Sequence, residues 1–353
     1  MKVALVTDTH FGARNDNEAL ANFFEKFYVD IFFPYLNKNN IKNIIHLGDA
    51  FDRRKYINFQ SLYRCKQYFY DLAEKFGIHI DQIIGNHDTF YKNTNKINSP
   101  DLILGEYANI NTYSEPQELI LGGKKLVMMP WICADNHDKA MKLISESDAD
   151  IVLGHLELDG FEMYRGQPHH GGFAADVFSR FDLVLSGHFH HRSTNRNITY
   201  LGTPYEITWS DYNDPKGFHI LDLDTNELTF IENPYRLFHK VKYDDSTWKD
   251  MESFKNLDFT HLKDTYVKVI VINKTNPYWF DLFIDKIEKC DPIDVQVVDD
   301  NLSLDLIKDD DLMENVDDTM TILYKSIETM AVDVDKTRLD VLFKSLYNEA
   351  LDI

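Results

Sequence analysis

Five short polar clusters in this chain combine residue types that bind metal ions: Asp8-Thr9-His10, Gly48-Asp49, Gly85-Asn86-His87-Asp88, Gly154-His155 and Gly187-His188-Phe189-His190. Together they offer carboxylates, one amide and several imidazoles, a mixed oxygen and nitrogen donor set that suits Mn, Fe or Zn better than Mg or Ca. Phosphate ester hydrolysis makes use of such a set. Two ions about 3.5 to 4 Å apart cancel charge on the attacking and leaving oxygens, and one carboxylate must bridge them. An isolated Asp-x-His or Gly-Asp carries little weight; the ordered combination carries a great deal.

Donors so far apart in sequence meet only if one set of elements delivers them to one place. Short apolar runs predict strands at residues 3–7, 43–47, 79–84, 151–153, 183–186 and 198–201, alternating with helical patterns as in an α/β layered domain. Each polar cluster lies at or just beyond the carboxyl end of one of these strands, where α/β folds place their sites. The glycine before Asp49, Asn86, His155 and His188 is expected to let the backbone turn sharply off the strand. Between the first two strands, Phe23, Phe24, Phe27, Ile31 and Tyr35 recur at helical spacing and read as a core-facing stripe. Gly122-Gly123 marks a hairpin between runs at 119–121 and 125–129, and residues 217–223 and 227–232 read as a second pair. Beyond Asn233-Pro234 a strand at 266–272, a helix at 277–289 and a strand at 294–298 predict a small β-α-β unit.

With 353 residues, 44% of them hydrophobic, the chain can bury a sizeable core in about two domains. No apolar run approaches the roughly 18 to 20 residues of a membrane helix. Cys65, Cys133 and Cys290 are odd in number and widely spaced, against a disulfide framework or a thiolate zinc site. These features predict a cytoplasmic protein. The net charge of −21 repels nucleic acid on its face, but residues 291–318 hold eleven acidic side chains against Lys308 alone, so nearly half of the excess lies in one stretch. That stretch reads as a solvated linker. After it, Met320, Leu323, Tyr324 and Ile327, then Leu339, Leu342, Phe343, Leu346, Tyr347 and Ala350, mark two amphipathic helices fit to pack on the body or on a partner.

The five clusters, in this order, resemble the signature D-x-H, G-D, G-N-H-D, G-H and G-H-x-H of the calcineurin-like metallophosphoesterases. Asp49-Ala-Phe-Asp52, the segment Gly202-Thr203-Pro204-Tyr205-Glu206, Lys216-Gly217-Phe218 and the appended small domain and tail are similar to the SbcD-type DNA repair nucleases, above all to the branch found in T-even-type bacteriophages. The likeness runs over residues 1–235 and more loosely to the end. It implies a β-sandwich flanked by helices (1–235), a capping, DNA-recognition domain (236–300), and an acidic linker with a helical tail (301–353) that grips an SbcC-type coiled-coil ATPase. It also implies two divalent ions, Mn by family habit. One would be held by Asp8, His10, Asp49 and His190, the other by Asp49, Asn86, His155 and His188, with Asp49 bridging. His87 matches the family's catalytic histidine, which stabilises or protonates the departing oxygen, and Asp88 the carboxylate that would orient it. Where some relatives have a histidine three residues after the bridging aspartate, this chain has Asp52, which is expected to orient a neighbouring side chain or cap the following segment.

Arg53, Arg54 and Lys55 follow the bridging aspartate and could reach DNA phosphates; Arg14, Lys92, Arg192 and Arg196 are weaker candidates. The aromatic stretch 63–70 matches the region through which relatives form homodimers, unless it packs inside the domain. His169-His170 read as ordinary loop residues, and His137, His191, His219 and His239 receive no role. The function expected is thus a Mn-dependent DNA nuclease, exonuclease and single-strand endonuclease, in a repair or recombination complex. The competing readings are a phosphatase of proteins or small esters, and a non-catalytic scaffold. Arg54 stands where protein phosphatases carry glycine, and a retired site has no reason to keep buried polar groups that are costly when unpaired.

Overall fold

The computed structural model describes residues 1–165, 167–248 and 254–299. The predicted tail at 301–353 lies outside the described residues. The described residues divide into two compact units, one of Met1–His239 with Asp258–Val267 and Ile284–Val295, the other of those within Lys240–Leu257, Lys268–Phe283 and 296–299.

The first unit is built on two six-stranded sheets. One runs in the order Glu227–Glu232, Gly217–Asp222, Lys2–Val6, Asn43–His46, His79–Ile83, Ile110–Tyr113, and the last four strands are parallel. The other runs Ser193–Asn195, Ile198–Tyr200, Leu183–Gly187, Ile151–His155, Lys124–Met129, Gln117–Leu121, with its four central strands parallel. Strands covered on both faces read as nearly continuous apolar runs, which is why the central ones were legible in sequence.

Alternation along each strand divides the core. Val3, Leu5, Ile45, Leu47, Leu126, Met128, Leu153, Leu185 and Leu221 form one buried cluster. Their neighbours in sequence turn the other way. Ala4, Val6, Ile44 and Ile220 join the helical layer of the first sheet, and Val127, Met129, Val152 and Val184 join that of the second. Two sheets packed face to face with helices outside are the predicted flanked sandwich. The phenylalanine stripe belongs to a helical run that begins at Glu18–Phe27, capped by Asn17, winds wider through Tyr28–Phe32 and ends at Phe33–Lys38. Phe23, Phe24 and Phe27 are buried, as expected of a core face. Phe24 stacks at 3.8 Å on Tyr205, whose hydroxyl donates to Thr9 O at 2.7 Å, so this core also anchors the first polar cluster.

Both predicted hairpins form, and Gly122 and Gly123 sit at φ +59° and +79° as a two-residue turn demands. Phe238–Asp244, Tyr266–Asn273 and Asp294–Asp299 form a three-stranded sheet, and Pro277–Glu288 is helical. The β-α-β unit thus carries an additional edge strand, Phe238–Asp244. In the second unit the Asp245 carboxylate takes up the N–H groups of Thr275 and Asn276 ahead of that helix, at 2.8 to 2.9 Å. Among the described residues no helix is long and apolar enough to cross a membrane.

Candidate active site

The parallel strands deliver the polar clusters to one edge of the sandwich, and backbone bonds tie the loops together there. Asp8 N donates to Gly48 O at 3.0 Å, His10 N to Asp49 O at 3.1 Å, and His188 N to both carboxylate oxygens of Asp8 at 3.1 and 3.0 Å. Asp8, His10, Asp49 and His188 all take positive φ, between 43° and 90°. Each such residue costs on the order of 1 to 3 kcal/mol, strain that collects at functional sites. This corrects the expected role of the glycines. Of the four preceding a donor only Gly48 has a positive φ, and of the donors they precede Asp49 and His188 turn left-handed themselves while Asn86 and His155 do not. The other glycines supply room: a Cβ on Gly85 would lie 2.1 Å from Asp49 Oδ1, and one on Gly187 2.0 Å from Thr7 Oγ1.

All seven expected metal-binding side chains are brought together. Ligand atoms of Asp8, His10 and His190 lie within 4.8 Å of one another, and so do those of Asp49, His155 and His188. Asp49 Oδ2 stands between the triads, 3.9 Å from His10 Nε2 and 3.3 Å from His155 Nε2. Asn86 Oδ1 adds a neutral oxygen to the second triad, 2.9 Å from His155 Nε2 and 3.0 Å from His188 Nδ1. In the first, His10 and His190 face each other with Nε2 atoms 3.1 Å apart.

The electrostatics fit cations. Burial pushes the Asp8 carboxyl up, whereas Asp49 is held well below the usual carboxylate range against its burial, chiefly by His155 and then His87. Burial also opposes charge on His10 and His155, yet Asp52, Asp49 and Asp8 raise His10 to about 9, and Asp49 and Asp8 raise His155 to about 9. Burial, with His155 and His10 as neighbours, keeps His188 and His190 well below the ordinary imidazole value and therefore neutral. The pocket draws protons to two of its donors, and these are the protons a divalent ion displaces when it binds. Carboxylate, amide and imidazole donors, most of them buried, converging in two groups around a shared oxygen fit a pair of divalent ions.

His87 is partly exposed beside the first triad, its ring centroid 5.0 Å from that of His10. Its backbone N–H donates to Asp49 Oδ1 at 2.7 Å, and its Nδ1 meets the main-chain carbonyl of Asp52 at 2.7 Å. The ring is therefore oriented by Asp52 O and not, as expected, by Asp88. The Asp88 carboxylate is fully buried and spent on backbone, accepting from Ala50 N and Phe51 N through Oδ1 and from Gly85 N through Oδ2, so it pins two site loops. The Asp52 carboxylate also lies beside a second ring, its Oδ1 3.3 Å from His10 Nδ1.

Sequence reasoning missed His46, a polar residue closing an apolar strand. It is fully buried, and burial lowers it to about 3, so it stays neutral. Gly48 N donates to its Nδ1 at 3.2 Å, so the ring proton sits on Nε2 and donates to Thr9 Oγ1 at 3.1 Å; that hydroxyl in turn donates to Ala50 O at 3.1 Å. One imidazole thereby ties the Asp8–His10 loop to the Asp49 loop. Trp131, also missed, packs against the second triad, 5.3 Å from the His188 ring.

The basic candidates differ. Arg53 is engaged inside the protein by Asp16 at 3.2 Å and by Asn15, Arg54 is half-buried, and Lys55 is exposed. Arg192 lies over the Phe230 ring, and Arg196 pairs with Asp176. His169 pairs with Glu157 at 3.0 Å and its ring lies 5.3 Å from that of Phe189, while His170 is exposed. In the aromatic stretch, Tyr68, Phe69 and Tyr70 are core residues, and Tyr63 alone of the tyrosines there faces out.

Residues 1–192 match the calcineurin-like phosphoesterase family. The chain is 33% identical over 257 residues to Exonuclease subunit 1 of Enterobacteria phage T4, covering 73% of this chain and 75% of that protein. It is also similar to the SbcD component of the SbcCD nuclease of Staphylococcus epidermidis, at 23% identity over 76% of this chain and 80% of that protein. The same component from Staphylococcus saprophyticus is 24% identical over 74% and 78%. The matched segment spans every donor of both triads and His87. By this match and by the site's own geometry, the chain belongs to the calcineurin-like phosphoesterases, metal-dependent hydrolases, and its relatives there include nuclease components of phage and bacteria.

Proposed function

We propose that this chain is the Mn-dependent DNA nuclease component of a double-strand-break repair and recombination complex, with exonuclease and single-strand endonuclease activity. The supporting observation is one oxygen of the second triad, Asp49 Oδ2, which also approaches His10 of the first, with most of the donors buried and His87 partly exposed beside them. Asp8, His10, Asp49 and His190 would hold one ion and Asp49, Asn86, His155 and His188 the other. When bound, such a pair neutralises charge developing on the phosphodiester during in-line displacement. The protein's own groups do the rest. Asp52 O accepts the Nδ1–H of His87 and so holds the ring with Nε2 free; when the imidazole carries its second proton, Nε2–H can hydrogen-bond or protonate the departing oxygen. Asp88 acts one step back, by holding the loops of Asp49 and His87.

DNA as substrate follows the nuclease relatives. Lys55, Arg54 and Arg53 are the phosphate contacts proposed, Lys55 foremost because it is exposed where both arginines are half-buried. Residues 1–235 would be the nuclease body, 236–300 a cap that recognises DNA, and 301–353 a linker and tail gripping an SbcC-type coiled-coil ATPase. Two copies would associate as a homodimer. Cleavage of end-labelled single- and double-stranded DNA with Mn, Mg or EDTA tests the reading, run beside His87→Ala and a generic phosphomonoester. Mn-dependent DNA cleavage that falls at least 100-fold in the variant is expected. Hydrolysis of the monoester alone would move the substrate to small esters. Silence toward both, even with the ATPase partner and ATP, would leave a scaffold.

A further inference from the structure

Lys216 is buried within the first unit, at 2% exposure, far in sequence from any metal donor. An ammonium has three hydrogens to place, and each finds an acceptor: Asp211 Oδ1 at 2.7 Å, Asp214 Oδ2 at 2.9 Å and the main-chain carbonyl of His190 at 2.8 Å. The partners are themselves saturated. Asp211 Oδ2 accepts from Ile207 N and Thr208 N at 2.9 and 3.0 Å, and Asp214 Oδ1 meets His191 Nδ1 at 2.9 Å. Burial opposes the charge on Lys216, but the two aspartates hold its pKa above the ordinary lysine value. The same His190 carbonyl also accepts from Thr203 N at 3.2 Å, and a Cβ on Gly202 would come within 2.9 Å of it.

A buried ion triad adds little net stability over apolar residues of equal volume, because desolvation offsets the attraction. What it does supply is direction. Here the ammonium points at the peptide of the one residue whose imidazole closes the first triad against His10.

We propose that Lys216, clamped by Asp211 and Asp214, is a positioning residue for the first triad: by holding the His190 carbonyl it fixes the His190 ring against His10 and sets that half-site's affinity for its cation. The inference rests on the two-metal reading above. The test uses the full chain and Mn(II), with stoichiometry and affinity from calorimetric titration and the spin coupling of the pair from electron paramagnetic resonance. Two variants are compared, Lys216→Met and the triple Lys216→Met, Asp211→Asn, Asp214→Asn. The triple leaves no buried charge unpaired and serves if the single variant does not fold. Lys42→Met is the control, since Lys42 also donates to a carbonyl, Phe76 O, away from the site.

Wild type and control should bind two ions with a coupled signal. The Lys216 variants should keep one ion while the other weakens about 10- to 100-fold, the usual cost of losing a group behind a ligand, and an uncoupled Mn(II) spectrum should appear. Variants that melt earlier yet bind both ions with unchanged affinity and coupling would reduce Lys216 to a structural role and overturn the inference. Fewer than two ions on wild type would instead overturn the two-metal reading, and this inference with it.

Discussion

At the scale of single residues, the site is held together by groups that are not among the converging donors. His46 is the strongest case, because its hydrogen bonds can be followed atom by atom from Gly48 N to Ala50 O. His46→Ala leaves the buried Gly48 N–H without this acceptor and removes the hydrogen bond that the Thr9 hydroxyl accepts, while that hydroxyl keeps its bond to Ala50 O. At about 1 to 3 kcal/mol for an unsatisfied group, the loss should be on the order of 3 kcal/mol, read as a lower urea midpoint of the metal-free protein. An unchanged midpoint would mean that the two loops do not depend on this ring. The side chains that converge here were legible in the sequence because each sits in a short motif at a strand end. The roles of Asp88 and Asp52 were not. Adjacency suggested that Asp88 serves His87, but which acceptor a ring meets depends on how two loops fold back on each other, and here three backbone N–H groups claimed the Asp88 carboxylate.

At the scale of elements, the buried parallel strands were recognisable within a residue or two, since two covered faces leave an unbroken apolar run. Ile110–Tyr113 and Phe238–Asp244 escaped notice because each mixes polar and apolar residues and takes its identity from the strand beside it. Glu206 shows what such a strand start can require. Its Oε2 accepts from Leu237 N and Phe238 N at 2.6 and 3.0 Å, and burial raises its pKa to about 7. The unfolded carboxyl, near 4.5, releases its proton earlier than the folded one. Between about pH 4.5 and 7 the folded state therefore holds the extra proton, and this residue's contribution to stability falls as pH rises through that window, by at most about 3 kcal/mol. Glu206→Gln should remove that slope, as measured by denaturation of the metal-free protein across the window. An unaltered pH profile would show that the folded carboxyl ionises normally.

At the scale of the whole molecule, the −21 charge and the nuclease reading need reconciling. Association of copies and a partner ATPase would supply affinity that the body's own charge does not. The helix Phe59–Cys65 bears on this, since Phe59 and Tyr63 are 88% and 63% exposed while Tyr68, Phe69 and Tyr70 are core. If copies meet there, Phe59→Asp with Tyr63→Asp should halve the mass found by sedimentation equilibrium without loss of the fold. A pair that survives both charges would place the contact elsewhere. By itself the sequence determined which polar side chains meet at the site, the strands that carry them and the class of chemistry, because motif spacing and hydrophobic period are local properties. Only the tertiary structure decided which oxygen stands between the triads, that Asp49 and His188 take left-handed turns themselves, that Asp52 and not Asp88 orients His87, and that Lys216 reaches the peptide of His190. Those are contacts between segments far apart in the chain, and they exist only once the two sheets have closed on a common core.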